Sequence, residues 1–140
     1  MLCPESHMNS DEILAIRVLA MPADTNAHGT IFGGFVLGLI DQAGAVAAFS
    51  VGASKVVTVS MKEVTFKAPV HVGDAVSCYV RVIRCGKTSI TTCVRVVAES
   101  PNARARGVEP REVTEAEVVY VQVDERGNPL PLRLAEKPAT

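Results

Sequence analysis

The chain contains no tryptophan, and four Phe and two Tyr are its only other aromatics among 140 residues. Base stacking on aromatic side chains is therefore a poor expectation for its mode of recognition. An excess of charge is also missing: 14 Lys and Arg stand against 15 Asp and Glu. Without a basic patch or stripe, a nucleic-acid partner is not expected. Cysteine is scarce, and Cys3, Cys78, Cys85 and Cys93 form no CxxC pair, so no zinc site or other metal centre is expected. Two of the four fall in alternating apolar runs and read as small core residues. The first residues lack the basic-then-apolar order of a secretory leader. The compartment therefore reads as reducing and cytoplasmic.

What is present is aliphatic. Val occurs 22 times, and 19 of these lie between Val51 and Val123, which places the strands there. Ala and Gly concentrate earlier, between Ala27 and Ala53. Ile31 to Ala53 holds a single charged residue, Asp41. A membrane span is rejected, because Gly33, Gly34, Gly38 and Gly44 interrupt the run and an Asp at its middle is costly in lipid. A helix apolar on all sides, and hence buried on all sides, fits better. It begins at Gly33-Gly34 and ends near Gly52.

The remainder reads as strands. Glu12–Leu19 comes first. Lys55–Phe66 alternates on Val57, Val59 and Met61, with a bulge expected near Lys62-Glu63 where the apolar phase moves to Val64 and Phe66. Val76–Val82 and Ile90–Val96 form a hairpin about Gly86-Lys87. Residues 99–111 make a polar loop bearing Arg104 and Arg106, and Val113–Val123 is the last strand. Residues 1–11 read as a flexible N-terminus, 12–125 as one domain, and 126–140 as a Pro-containing, loosely attached tail. One long helix and about five antiparallel strands make an α+β fold, the hotdog arrangement of a helix wrapped by a curved sheet. Such a sheet cannot cover every side of the helix, so at least a dimer is expected.

The segment Met21-Pro-Ala-Asp-Thr-Asn26-Ala-His28-Gly-Thr-Ile-Phe-Gly33-Gly34 is polar and leads straight into the helix. First-turn amides have no intrahelical acceptor and favour anionic groups. Gly33 and Gly34 would let a ligand approach them, or would simply permit tight helix–sheet packing. Asp41 is satisfied by a neighbouring hydroxyl or amide, or it is a general base or nucleophile. Gly33 and Asp41 are eight positions apart, roughly 12 Å along a helix. One helix can hardly supply both an oxyanion donor and a base to the same carbonyl. Two antiparallel helices across a two-fold axis can.

These segments resemble the hotdog acyl-CoA thioesterases, in particular the short single-domain bacterial YciA type. The likeness runs through Met21–Gly34, Leu39-Ile-Asp-Gln-Ala-Gly44, Val56-Val-Thr-Val59, Phe66-Lys-Ala-Pro-Val-His-Val-Gly-Asp74 and Gly86-Lys-Thr-Ser-Ile90, and covers roughly residues 12–125. It implies hydrolysis of acyl-CoA, with coenzyme A as part of substrate and product and no separate cofactor. It places the catalytic carboxylate on Asp41, the pre-helix amide on Asn26, and the oxyanion donors on Gly34 and Gly33. It places the CoA nucleotide contact on Gly86, Lys87, Thr88 and Ser89. Arg84 and Lys55 are further candidates for the phosphates. It also implies a homodimer, assembled as a trimer of dimers. Phe35 stands where Trp is frequent in such relatives, and His28 where Asn is common. Both are candidates to shape the substrate pocket. The acyl chain would run between paired helices, past Val36, Leu37, Ile40 and Ala43. A non-catalytic acyl-CoA sensor and a hotdog hydratase or dehydratase are the rival readings. The first should lack the helix carboxylate, and the second should carry a His in the helix region.

Overall fold

The structure is a computed structural model describing residues 11–133. The cysteine at position 3, the histidine at position 7, the proposed flexible N-terminus before Asp11 and the tail beyond Arg133 lie outside the described residues. Strand β1 (Ile13–Leu19) is followed by helix α1 (Gly33–Ser50), then by β2 (Val56–Lys62), β3 (Ala75–Cys85), β4 (Ser89–Glu99) and β5 (Arg111–Gln122). The strands form one antiparallel sheet in the order β1-β3-β4-β5-β2. This is the expected helix-on-sheet fold, with β1 and β2 as its edges.

Alternation decides the core. Val76, Cys78 and Val80 of β3, Val94 and Val96 of β4, and Ala116, Val118 and Tyr120 of β5 turn to one face. They meet Val36, Leu39, Ile40, Ala43 and Ala47 of α1. Burying each large aliphatic side chain contributes about 1.5–3 kcal/mol. On length and composition alone α1 is apolar enough to cross a membrane. Here it spends that apolarity on the sheet.

The expectation of a helix buried on all sides does not hold within one protomer. Gly34, Gly38, Gln42, Val46 and Phe49 form an exposed stripe, because a single curved sheet covers only one side of a cylinder. β2 is shorter than expected. It stops at Lys62, where Glu63 takes a positive φ of 53°. Its register shift lies between Thr58 and Ser60, earlier than Lys62-Glu63. Val64 and Phe66 belong to the β2–β3 connector, which is anchored to β5 by Lys67 N–H to Val113 O (2.7 Å) and Thr114 Oγ1 to Thr65 O (2.7 Å).

Cys78 and Cys93 are buried core residues; Cys78 and Cys85 are free thiols and Cys93 is disulfide-bonded. One further expectation changes. The segment after Asp124 is not loose where it is described. The Asp124 carboxylate caps a turn by accepting from the amides of Arg126 and Asn128. The chain then runs back along β5, with Leu130 N–H donating to Gln122 O and Leu132 N–H to Lys87 O, both at 2.8 Å. Leu132 packs on Ala48, Ala53 and Ile90.

Candidate active site

The loop before α1 is folded by Asn26. Its Oδ1 accepts from the amides of His28 (2.8 Å) and Thr30 (3.2 Å), and its Nδ2 donates to Thr30 Oγ1 (2.9 Å). Its own amide donates to Thr30 O at 2.7 Å. Asn side chains favour such local turns. Phe32 N–H to Asp24 O and Ile31 N–H to Val70 O, both 2.9 Å, then aim the chain into the first helical turn. His28 is exposed, and it is its backbone amide that bonds Asn26.

At the helix start the amides of Gly33 and Gly34 make no hydrogen bond among the described residues. A Cβ added at Gly34 would meet nothing within 4 Å, and one at Gly33 would meet only the Phe66 ring at 3.5 Å. Tight packing therefore does not explain Gly34. Both donors sit at the positive end of an 18-residue helix, with Gly34 open to its surroundings.

Asp41 lies half-buried on α1. Thr58 Oγ1 of β2 donates to its Oδ1 at 2.6 Å, so the hydroxyl partner that a purely structural Asp41 would need does exist. That bond occupies one carboxylate oxygen. One turn on, Tyr120 lies across Gly44 and donates to the Asp41 carbonyl oxygen at 2.6 Å. Burial, and then the charge of Asp41, push the Tyr120 phenol above its ordinary range, so it remains a proton donor. A Cβ at Gly44 would stand 2.1 Å from the Tyr120 oxygen, so only glycine allows this crossing. Thr58, Tyr120 and the role of Gly44 were not singled out from sequence. The nearest signal was a lone threonine in an otherwise valine-rich strand.

The other candidates separate by position. Gly86–Ser89 form the β3–β4 turn, closed by Gly86 N–H to Ser89 O at 2.8 Å. Lys87 is exposed there, and exposed Lys55, just before β2, lies beside it, since Lys55 O accepts from Val123 N–H and Thr88 O from Gln122 N–H. The buried Gln122 amide binds this end together. It accepts from Ser54 N–H (2.9 Å) and donates to Pro131 O (3.0 Å). Arg84 is exposed nearby and reaches Thr91 Oγ1 at 3.4 Å. Arg104 instead pairs with Glu99 at the far end of β4. Phe35 is half-buried and packs against the core cluster. Of the residues expected to line a path between helices, Val36, Ile40 and Ala43 are buried against the protomer's own sheet, and only Leu37 remains partly accessible.

A family model described as the thioesterase superfamily matches residues 28–105. The chain belongs to this superfamily. An acyl-CoA thioester hydrolase YciA of Salmonella typhimurium is 44% identical over 119 residues, covering 85% of this chain and 89% of the relative. Its Escherichia coli counterpart is 42% identical, over 83% and 87%. Among solved structures, a hexameric thioesterase from Yersinia pestis superposes with a TM-score of 0.80 at 40% identity, covering 92% of this chain and all of that one. A hexameric hotdog fold thioesterase of Campylobacter jejuni gives 0.77 at 42% identity, over 86% and 90%. The thioesterase fold thus extends over nearly the whole described domain.

Proposed function

We propose that the protein is an acyl-CoA thioester hydrolase whose active sites are shared between two protomers. The observation that carries this is the open face of α1. Gly34 and Asp41 are seven residues apart, almost two full turns, so they share a face about 10 Å apart along the axis. Neither has a partner for the same carbonyl within its own helix. An antiparallel helix from a second protomer brings the Gly34 amide of one chain to the Asp41 carboxylate of the other, twice. On the exposed stripe Gly34 and Gly38 have no side chains, and a Cβ at either would meet nothing within 4 Å, which lets a second helix approach. Edge strand β2 adds exposed Val57 and Val59 beside it, 44% and 55% accessible. The hexameric relatives support assembly of such dimers in threes.

In this reading Thr58 holds Asp41 Oδ1 and leaves Oδ2 to the reaction. Oδ2 takes a proton from water as the oxygen adds to the thioester carbonyl, or adds to that carbonyl itself to give an anhydride that water then opens. The oxyanion rests on the Gly34 amide, with Gly33 adjacent. Collapse breaks the C–S bond, and the CoA sulfur leaves as the thiolate and takes up the proton held on Asp41 or one from water. Asn26 holds the loop before the helix, and its second Nδ2 hydrogen remains for the carbonyl or water. No metal or redox cofactor is needed, since a thioester is already an activated acyl donor. The nucleotide would reach the exposed cations at Lys55, Arg84 and Lys87.

Thiol release from acyl-CoAs tests the assignment. Asp41→Ala is expected to lose about 10²–10⁴-fold in kcat, the usual range for a positioned acid–base group. Hydrolysis undiminished in Asp41→Ala would overturn the site. CoA binding without any turnover of the unaltered protein would favour the sensor.

A further inference from the structure

Gln122, the last residue of β5, is buried and uses every polar group it has. Its backbone N–H donates to Thr88 O and its carbonyl accepts from Leu130 N–H, both at 2.8 Å. Its Oε1 accepts from Ser54 N–H (2.9 Å) and Ser54 Oγ (3.3 Å), and its Nε2 donates to Pro131 O (3.0 Å) and Leu130 O (3.3 Å). An amide side chain can do this because it carries two donors and an oxygen with two lone pairs. The α1–β2 loop, the β3–β4 turn and the segment Leu130–Leu132 thus meet at one residue. Leu132 closes the ring, its N–H donating to Lys87 O at 2.8 Å and its side chain packing on Ala48, Ala53 and Ile90. Each anchor has a cation as its chain neighbour: Lys55 follows Ser54, Lys87 precedes Thr88, and Arg133 follows Leu132. All three are exposed, and none forms an ion pair among the described residues.

We propose that Gln122 is a positioning residue for recognition of the substrate's phosphates, and that the strap Leu130–Leu132 which it holds adds Arg133 to Lys55 and Lys87 as a third cation for them. The inference rests on the reading of the protein as an acyl-CoA hydrolase whose substrate nucleotide lies at this end of the sheet. Like charges brought together repel, and loops carrying them would drift apart unless their backbones were tied. Tying them in advance lowers the ordering cost that a ligand must otherwise meet on binding. The phosphates supply the missing counter-charge. Their oxygens suit the ammonium groups of lysine and the parallel N–H donors of a guanidinium. None of the Gln122 hydrogen bonds goes to Asp41, Asn26, Gly33 or Gly34, so its effect falls on binding and not on the chemical step.

Two thioesters with the same acyl group separate the roles: acetyl-CoA, and acetyl-N-acetylcysteamine, which carries no nucleotide. Steady-state kinetics are measured on the full-length protein and on Gln122→Leu, Arg133→Ala and Arg133→Lys. Gln122→Leu leaves Ser54 N–H and the Leu130 and Pro131 carbonyls to find water, which draws the segments apart. Its KM for acetyl-CoA should rise about tenfold with kcat within about two-fold, as expected when binding is lost equally from ground and transition states. Its kcat/KM for acetyl-N-acetylcysteamine should stay within about two-fold. Arg133→Ala, at the surface, should raise KM for acetyl-CoA about two- to five-fold, the range of one exposed ion pair, and Arg133→Lys should recover part of that. An unmoved KM for acetyl-CoA in Gln122→Leu, or an equal loss on both thioesters, overturns the positioning role. An unmoved KM in Arg133→Ala overturns the third cation, and decides the proposal alone if Gln122→Leu does not fold. Hydrolysis of neither thioester by the unaltered protein overturns the hydrolase reading instead. The affinity for free CoA, by calorimetry on the same four proteins, then decides the clamp by the same ratios, and no CoA binding at all overturns it.

Discussion

Thr58 and Tyr120 are cross-strand partners on β2 and β5, and both hydroxyls reach the same helical residue. One donates to the Asp41 carboxylate and the other to its carbonyl oxygen, each at 2.6 Å. A single rung of the sheet therefore fixes the rotation of α1 and the orientation of its one carboxylate. Positioning and stability can be separated by taking the two bonds one at a time.

Thr58→Val removes the bond to Oδ1 and keeps the shape of the side chain. Its kcat should fall about tenfold with KM little changed, since orientation of the reacting oxygen matters in the transition state more than in binding. Thr58→Ser should restore most of the rate. A fall confined to KM in steady-state assays would contradict a positioning role.

Gly44→Ala places a methyl group where Tyr120 now lies, and overpacking of this kind costs about 1–3 kcal/mol. Tyr120→Phe should cost about 1 kcal/mol, the net worth of one hydrogen bond. Chemical denaturation of the two variants should rank them in that order.

The motif Phe66–Asp74 turns out to be partly structural. Asp74 is 1% exposed and accepts from His71 N–H (2.9 Å) and from the Arg111 guanidinium, which also donates to Ser100 (3.1 Å). This clasp ties the connector carrying Phe66 and Ala68 to both β4 and β5. Arg111→Ala should destabilise the fold by about 2–3 kcal/mol, less than a wholly buried pair because the Arg111 side chain keeps 31% exposure. Unchanged denaturant midpoints would show that the clasp carries no stability.

Burial pushes the Cys78 thiol from its ordinary 9.0 up to about 12. Between those values the unfolded chain releases this proton and the folded chain retains it. The folded state then binds more protons, so stability should fall as pH rises through that window. Tyr120, raised in the same direction, steepens the loss. Cys78→Ala should flatten the alkaline limb of a stability–pH curve. Equal slopes would place the effect elsewhere.

Much of this is legible in the amino-acid sequence. Valine alternation located the strands because side-chain period and burial coincide in a one-sided sheet. Asp41 stood out because a charge in an apolar helix demands a reason. What sequence hid was contact across long separations. Nothing local marks Gly44 as the crossing point of a residue 76 positions later. The orientation of Val36, Ile40 and Ala43 was also hidden, because a helix apolar on every side does not reveal which side meets the sheet. The docking of Leu130 and Leu132 was missed because prolines nearby suggested a loose tail, whereas the buried Gln122 amide supplies the partners that hold it.

Subunit mixing tests the shared site most directly. Asp41→Ala and Asn26→Ala protomers are each expected to be nearly inactive, the first for want of the carboxylate and the second for want of an ordered loop before its helix. Unfolded and refolded together, they should regain about a quarter of the unaltered activity, since half of the random dimers hold one intact site of two. A mixture no more active than the average of its parents would contradict sites built from two chains.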